Sequence, residues 1–234
     1  MKSLAGTGIY VVIVIVVLLF VTNGCKKKDN TQPDLTDIDG NVYHAVKIGN
    51  QVWMAEDLKT TRYNDGTAIT LISDSTAWSK IDITKTPGYC WYDNNAPRYR
   101  NTYGALYNWY ALNTGHLAPS GWHIPSVDEW STLITYLGGK SIAGGKLKET
   151  GTSHWISPNK GADNSSGFTA LPNGLQADIG GFYFIGEWGS WWTSTEENPA
   201  WRTAYYFEIA YNETTAYKSA SNKAYGTCVR CIKD

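Results

Sequence analysis

The chain has 234 residues, 20 of them basic and 21 acidic, for a formal net charge of −1, so it offers no sizeable basic field for nucleic acid. Eleven Trp, sixteen Tyr and 23 Gly beside only two Met suit many short strands and turns better than a helix bundle. Setting aside the first 24 residues leaves 210, room for one domain around one good core.

The N-terminus carries a thirteen-residue apolar run, Ile9 to Val21, after a single basic residue, Lys2. It ends in Thr22-Asn23-Gly24-Cys25 followed by Lys26-Lys27-Lys28. The run is shorter than the roughly 20 residues that span a bilayer and stops at a small residue before cysteine, so residues 1–24 resemble a bacterial lipoprotein signal peptide. Cleavage would leave Cys25 as the lipid-attachment residue. Two or three acyl chains anchor stably at about 0.8 kcal/mol per buried CH₂, which puts the mature protein on the outer membrane or cell surface. Residues 25–35 are charged and polar with one proline and read as a flexible tether, with the folded domain over 36–234.

Within the domain, Val42, His44, Val46 and Ile48 alternate, Gly49-Asn50 offers a turn, and Gln51 to Met54 returns, which predicts a β-hairpin with His44 half-buried on its apolar side. Leu106, Trp109 and Tyr110 at i, i+3 and i+4 predict a short helix within 103–113, ended by Gly115. Ser126-Val-Asp-Glu129 is a capping box, and Trp130, Leu133, Ile134 and Leu137 form the core stripe of a second helix stopped by Gly138-Gly139. Beyond Lys146, the segments 182–185, 191–194, 201–208, 215–218 and 227–232 read as successive antiparallel strands. The sum is an α+β domain of two short helices, antiparallel sheets and long irregular loops whose termini meet in one sheet.

With Cys25 lipidated, Cys90, Cys228 and Cys231 remain, an odd number in an oxidising envelope. Cys228 and Cys231 are three apart on a strand and so point to opposite faces, which excludes a shared metal or mutual disulfide. Cys231 shares the core face with Val229, so a Cys90–Cys231 disulfide is preferred to Cys90–Cys228, leaving Cys228 as the spare thiol beside Arg230.

Several ordered segments then resemble a known family. Ile48-Gly-Asn-Gln-Val-Trp-Met-Ala-Glu-Asp-Leu58, Tyr103-Gly-Ala-Leu-Tyr-Asn-Trp109, Gly121-Trp-His-Ile-Pro-Ser-Val-Asp-Glu-Trp130, Ala143-Gly-Gly-Lys-Leu-Lys148, Ser166-Gly-Phe-Thr-Ala-Leu-Pro172, Ser190-Trp-Trp-Thr-Ser-Thr-Glu196 and Val229-Arg-Cys231 look like the Fibrobacter succinogenes major paralogous domain of Bacteroidetes-type lipoproteins. The resemblance implies a C-type-lectin-like fold, distantly related to the formylglycine-generating enzyme version. Family members commonly lack a cysteine at the position of Cys228, which agrees with its being unpaired.

The functional expectation is a non-enzymatic surface module that binds glycan or protein ligands. Trp and Tyr stack on sugar faces while Asn, Asp and Glu read hydroxyls. The candidate ligand-binding residues are Asp163, Asn164, Asn173, Asp178, Glu187, Trp188, Glu196 and Asn198. Trp109, Trp122, Trp130, Trp191 and Trp192 read as framework, with Trp188 and Trp201 open to either role. Calcium is the one cofactor left open, without a Glu-Pro-Asn triplet to hold it; Glu197-Asn-Pro199 shares only the residue types. The four histidines, His44, His116, His123 and His154, are scattered, and no catalytic motif is present. An architectural surface protein and an enzyme related to the formylglycine-generating fold are the competing readings.

Overall fold

The hairpin forms over Val42–Ile48 and Gln51–Met54 about Gly49, whose φ of +62° only glycine adopts without strain. Ile48 is buried as expected, but over residues 42–45 the faces are the reverse of those expected. Tyr43, Ala45 and Ile48 are buried, whereas His44 is exposed and paired with Glu56 at 2.7 Å. The bulky Tyr43 ring takes the core side and its hydroxyl donates to Asp37, which pushes the histidine out.

The computed structural model describes residues 31–234; the signal segment, Cys25 and the tether through residue 30 lie outside the described residues. Residues 31–35, read as the end of the tether, belong to a strand, Thr31–Thr36, that pairs antiparallel with Val42–Ile48. The hairpin edge supplies backbone partners for this polar segment, and the domain therefore begins earlier than its composition suggests.

Beyond the hairpin, Ile232–Lys233 pairs between Gln51–Met54 and Trp122–His123, so both ends of the domain meet in one five-stranded sheet, as expected. A second sheet is a three-stranded meander of Trp188–Asn198, Thr203–Ala210 and Ala216–Asn222. The third has six short strands in the order Thr70–Leu71, Gly88–Cys90, Leu106–Asn108, Gly226–Thr227, Asn173–Gln176 and Phe182–Ile185. The mixture is α+β, mostly sheet. The segment 227–232 is not one strand, because Gly226–Thr227 and Ile232–Lys233 serve different sheets. Phe182–Ile185 likewise leaves the meander to pair with Asn173–Gln176.

The capped helix spans Val127–Tyr136 with both halves of its capping box made, and Trp130, Leu133 and Ile134 are buried. The helix expected within 103–113 does not form as one unit. Asn95 caps a helix over Ala96–Tyr103 that stops at Gly104 (φ +74°), Leu106–Asn108 is a fully buried strand, and only Trp109–Leu112 turns helically. Pairing on both edges of Leu106–Asn108 outweighs its helical spacing. A helix over Lys140–Leu147 went unread because it contains Gly144 and Gly145, where a Cβ would strike the backbone carbonyls of Thr215 and Gly161.

Two aromatic-rich cores fill the domain. In one, Trp130 stacks on Phe207 with centroids 5.1 Å apart and meets Trp53 at 4.9 Å. The other gathers Tyr43, Tyr107, Trp109 and Trp192. Trp109, Trp130, Trp191 and Trp192 are buried framework as read from the sequence, and Trp122 is half-buried.

All three described cysteines are free thiols, which corrects the expected Cys90–Cys231 disulfide. Cys90 and Cys228 lie in one core and Cys231 in the other. The parity of Val229 and Cys231 holds, but the opposite face, carrying Cys228 and Arg230, is equally buried rather than solvated.

Candidate functional site

The residues expected to bind ligand do not form one surface. Asn173 is fully buried, donating to Asp57 Oδ2 at 2.8 Å and accepting from the Ser190 backbone N–H at 2.8 Å. Asp163 accepts from the Ser165 N–H, and Asn164 closes its own loop on Thr169. Asp178 sits in the turn between Asn173–Gln176 and Phe182–Ile185. Trp188 and Asn198 begin and end one eleven-residue strand, roughly 33 Å apart at about 3.3 Å per residue. Glu196 is tied to Lys223, and Asn198 caps the Ala200 and Trp201 N–H groups. Glu187 is half-buried, next to Gly186.

Gly186 leads to the cleft that does gather free polar groups. The cleft holds about 300 Å³ and is lined by Arg98, Tyr99, Thr102, Tyr103, His154 and Ile185. Asn95 accepts from the Arg98 N–H and starts the helix that puts Tyr99 and Tyr103 four apart on one face. The two rings lie 6.0 Å apart, and His154 meets Tyr103 edge-on at 5.8 Å. Glu149 Oε2 pairs with His154 Nδ1 at 2.8 Å, which leaves Nε2 for the cleft. The Arg98 guanidinium lies 5.1 Å from the Tyr99 centroid. Among the described residues, the Tyr99 and Tyr103 hydroxyls, His154 Nε2 and the Arg98 guanidinium have no hydrogen-bond or ion-pair partner. Burial, with the Glu149 carboxylate nearby, raises the Tyr103 phenol above its ordinary value, so it stays a neutral donor and acceptor.

One wall is fixed from below. Lys148, fully buried, donates to the carbonyls of Lys160, Ala210 and Glu213 at 2.9, 2.9 and 2.8 Å, with its Nζ 5.5 Å from the Trp155 centroid. Burial lowers its pKa to about 8. Glu149 follows it directly and so inherits a rigid backbone.

Sequence reasoning passed over this cleft. Asn95-Ala-Pro is a helix-start signal, and Tyr99 with Tyr103 at i, i+4 is the stripe that would have marked it. His154 and Glu149 belong to an irregular segment that no periodicity places.

Most residues of the recognised motifs instead build the interior. Asp57 accepts from Arg230 Nε, Trp191 Nε1 and Asn173 Nδ2, joining three of those segments, and the residue that follows a fourth, in one buried network. The sequence pattern described as Fibrobacter succinogenes major domain matches residues 46–233. The chain belongs to that family. No curated protein and no solved structure matches it. The Fibrobacter succinogenes major domain thus carries its signature in the core, while its cleft is lined largely by residues outside the motifs. Among the described residues, no three His, Cys, Asp or Glu side chains converge as metal ligands, and no helix is long and apolar enough to cross a membrane.

Proposed function

We propose that this protein is a lipid-tethered cell-envelope module that binds glycans, without catalysis, in the cleft between Tyr103 and His154. One observation carries the reading: two tyrosines, a histidine and an arginine line one aromatic-walled cleft. Apart from Tyr99, these side chains are open to solvent rather than buried, and a concave set of donors and acceptors beside two tyrosine rings fits a hydroxyl-rich ligand that stacks on the rings. A C-type-lectin-like arrangement accords with termini sharing a sheet and long loops over two packed helices. The lipoprotein signal read in residues 1–24 and lipid attachment at Cys25 would display the cleft on the outer membrane or cell surface.

The test is calorimetric titration of the purified protein with a panel of bacterial and host oligosaccharides, repeated with Tyr103→Phe and His154→Gln. Each lost hydrogen bond is worth about 0.5–1.5 kcal/mol, so affinity should fall roughly threefold to tenfold with thermal unfolding unchanged. Binding that ignores both substitutions, or no binding to any glycan, removes the reading.

A further inference from the structure

The lipid anchor proposed at Cys25 and the first strand of the domain are close in sequence. Thr31 pairs with Val46, so Cys25 stands six residues from backbone fixed in the five-stranded sheet. Six residues reach at most about 20–22 Å, at 3.3–3.6 Å each. A compact domain of about 200 residues has a radius of gyration of about 17 Å and is roughly 40 Å across, so a lipid on that tether cannot reach around it. The bilayer therefore meets the end of the domain at which Thr31 lies.

Strand register identifies that end. Thr31 lies opposite Val46 and Thr36 opposite Val42, which puts Thr31 toward the hairpin turn at Gly49-Asn50. Tyr136, the last residue of the capped helix, lies against this turn, where a Cβ on Gly49 would stand 3.0 Å from its ring. Two residues further on, the helix Lys140–Leu147 covers Gly138 with Ile142 Cδ1 and Lys146 Nζ, 2.7 and 3.8 Å from where a Gly138 Cβ would be. Both apolar side chains face water, Tyr136 at 65% and Ile142 at 46% exposure.

The charge at this end is basic. Lys47, two residues before Gly49, and Lys140 are exposed, and Lys146 is half-buried beside Ile142. Lys26, Lys27 and Lys28 follow the anchor itself. The acidic residues of the adjoining segments are engaged within the protein: Asp163 accepts from the Ser165 N–H, Glu213 from the Tyr217 hydroxyl and Glu129 from the Ser126 N–H. An isoleucine, a tyrosine ring with a polar tip and a rim of lysines suit a headgroup layer, where the ring sits at the interface and the ammonium groups meet phosphates.

We propose that the end of the domain formed by the Gly49-Asn50 and Gly138-Gly139 turns docks on the phospholipid bilayer that holds the acyl chains of Cys25, with Tyr136 and Ile142 at the acyl boundary and Lys47, Lys140 and Lys146 on anionic headgroups. The inference rests on the lipid attachment at Cys25. So short a tether keeps this face at an effective concentration on the order of millimolar, and a few contacts then suffice where a free protein would diffuse away. Docking fixes the orientation of the domain, which the lipid alone leaves free to tumble.

The experiment places the full chain, purified from membranes, on preformed vesicles of phosphatidylethanolamine and phosphatidylglycerol, after its N-terminal mass has been read. Cys90, Cys228 and Cys231 are fully buried, so a nitroxide reagent labels an introduced cysteine. Ser141→Cys, exposed between Lys140 and Ile142, reports on the docked end. Trp201→Cys is the reference: Thr214 Oγ1 donates to the Ser141 carbonyl at 2.7 Å, and the strand Thr203–Ala210 separates that turn from Trp201 by about 26 Å. On vesicles the label at 141 should lose collisions with an aqueous nickel chelate and gain them with oxygen, while the label at 201 stays open to the chelate. Adding Lys140→Glu and Ile142→Asp should restore nickel access at 141, with near-ultraviolet dichroism confirming the fold. If Cys25 carries lipid and the label at 141 is as open as that at 201, the docking is overturned and the anchor stands. An N-terminal mass without lipid removes the anchor and the docking with it. Shielding at 201 instead of 141, or shielding at 141 that ignores the two added substitutions, also overturns the proposal.

Discussion

Arg230 Nε donates to Asp57 Oδ1 at 2.6 Å, with both side chains 1% exposed and the two residues 173 positions apart in the chain. The guanidinium also donates to the carbonyls of Phe168 and Thr169 and lies 4.2 Å from the Phe168 ring centroid, so one side chain joins the first motif, the central loop and the last motif. Desolvating two charges is costly, and their attraction with further hydrogen bonds offsets that cost only while both are present. Asp57→Ala should therefore destabilise the domain by about 3–5 kcal/mol by stranding the guanidinium. Denaturant unfolding measures it, and a loss below about 1 kcal/mol would show that the pair does not organise the core.

The thiols provide a second test. Burial raises all three well above the ordinary thiol range, so each stays protonated and shielded. Cys90 donates to Gln176 Oε1, and Cys228 donates to the Tyr103 carbonyl at 3.1 Å. Alkylation of the native protein should label none of the three, and denaturation without reductant should expose all of them. Recovery of a Cys90–Cys231 peptide from unreduced protein would restore the disulfide that the structure replaces.

How much was readable from sequence follows from the length of each signal. The helix Val127–Tyr136 announces itself because a capping box and a four-residue stripe agree over ten positions. Strands such as Trp122–His123 or Gly226–Thr227 have two residues each, too few to express a period of two. Arg230 was assigned to an outer face because alternation marks a half-buried strand, whereas this segment runs between two cores and is buried on both sides. The tyrosine cleft escaped for a related reason. Its walls come from a helix start near Asn95 and an irregular segment near His154, and only tertiary structure brings them together.

The loop–helix junction at His123 sets a pH window. Its Nε2 pairs with Glu129 and its Nδ1 with Asp234, each at 2.7 Å. Partial burial opposes protonation, but the hydrogen bonds to the two carboxylates outweigh it and raise His123 above 6.5. Burial likewise opposes ionisation of Glu129, but the Ser126 N–H and His123 outweigh it and lower Glu129 below 4.5. The raised histidine contributes stability that is present below pH 6.5 and lost as pH rises through its folded value. The lowered carboxyl contributes above pH 4.5 and is lost as pH falls through its own. Both act together between about pH 4.5 and 6.5. His123→Gln should thus cost most near pH 5.5, about 1 kcal/mol for a partly exposed pair, and little at pH 8. A cost independent of pH would show that packing, not charge, holds the junction.

Lys148 supplies the opposite sign. Its ammonium is held by three carbonyls and a tryptophan ring in place of a carboxylate, and burial lowers its pKa from 10.5 to about 8. Between those values the unfolded chain holds the proton and the folded chain releases it, so stability rises with pH through the window. Burial raises Tyr43 and Tyr206, helped by the neighbouring Asp37 and Glu208 carboxylates, so they resist ionisation when folded and work against stability at higher pH. The comparison must therefore be wild type against Lys148→Met, which shares those tyrosines. At pH 7 the substitution removes three hydrogen bonds and leaves their carbonyls in a closed space, at a cost of about 2 kcal/mol or more. One proton shifts stability by at most about 1.4 kcal/mol per pH unit, so the gap between the two proteins should widen by about 1–2 kcal/mol from pH 7.5 to 9.5. Urea unfolding at several pH values reads that gap. If it stays flat, the ammonium titrates as it does in water, and the three carbonyls are not the closed cage that steadies the backbone beneath Glu149 and His154.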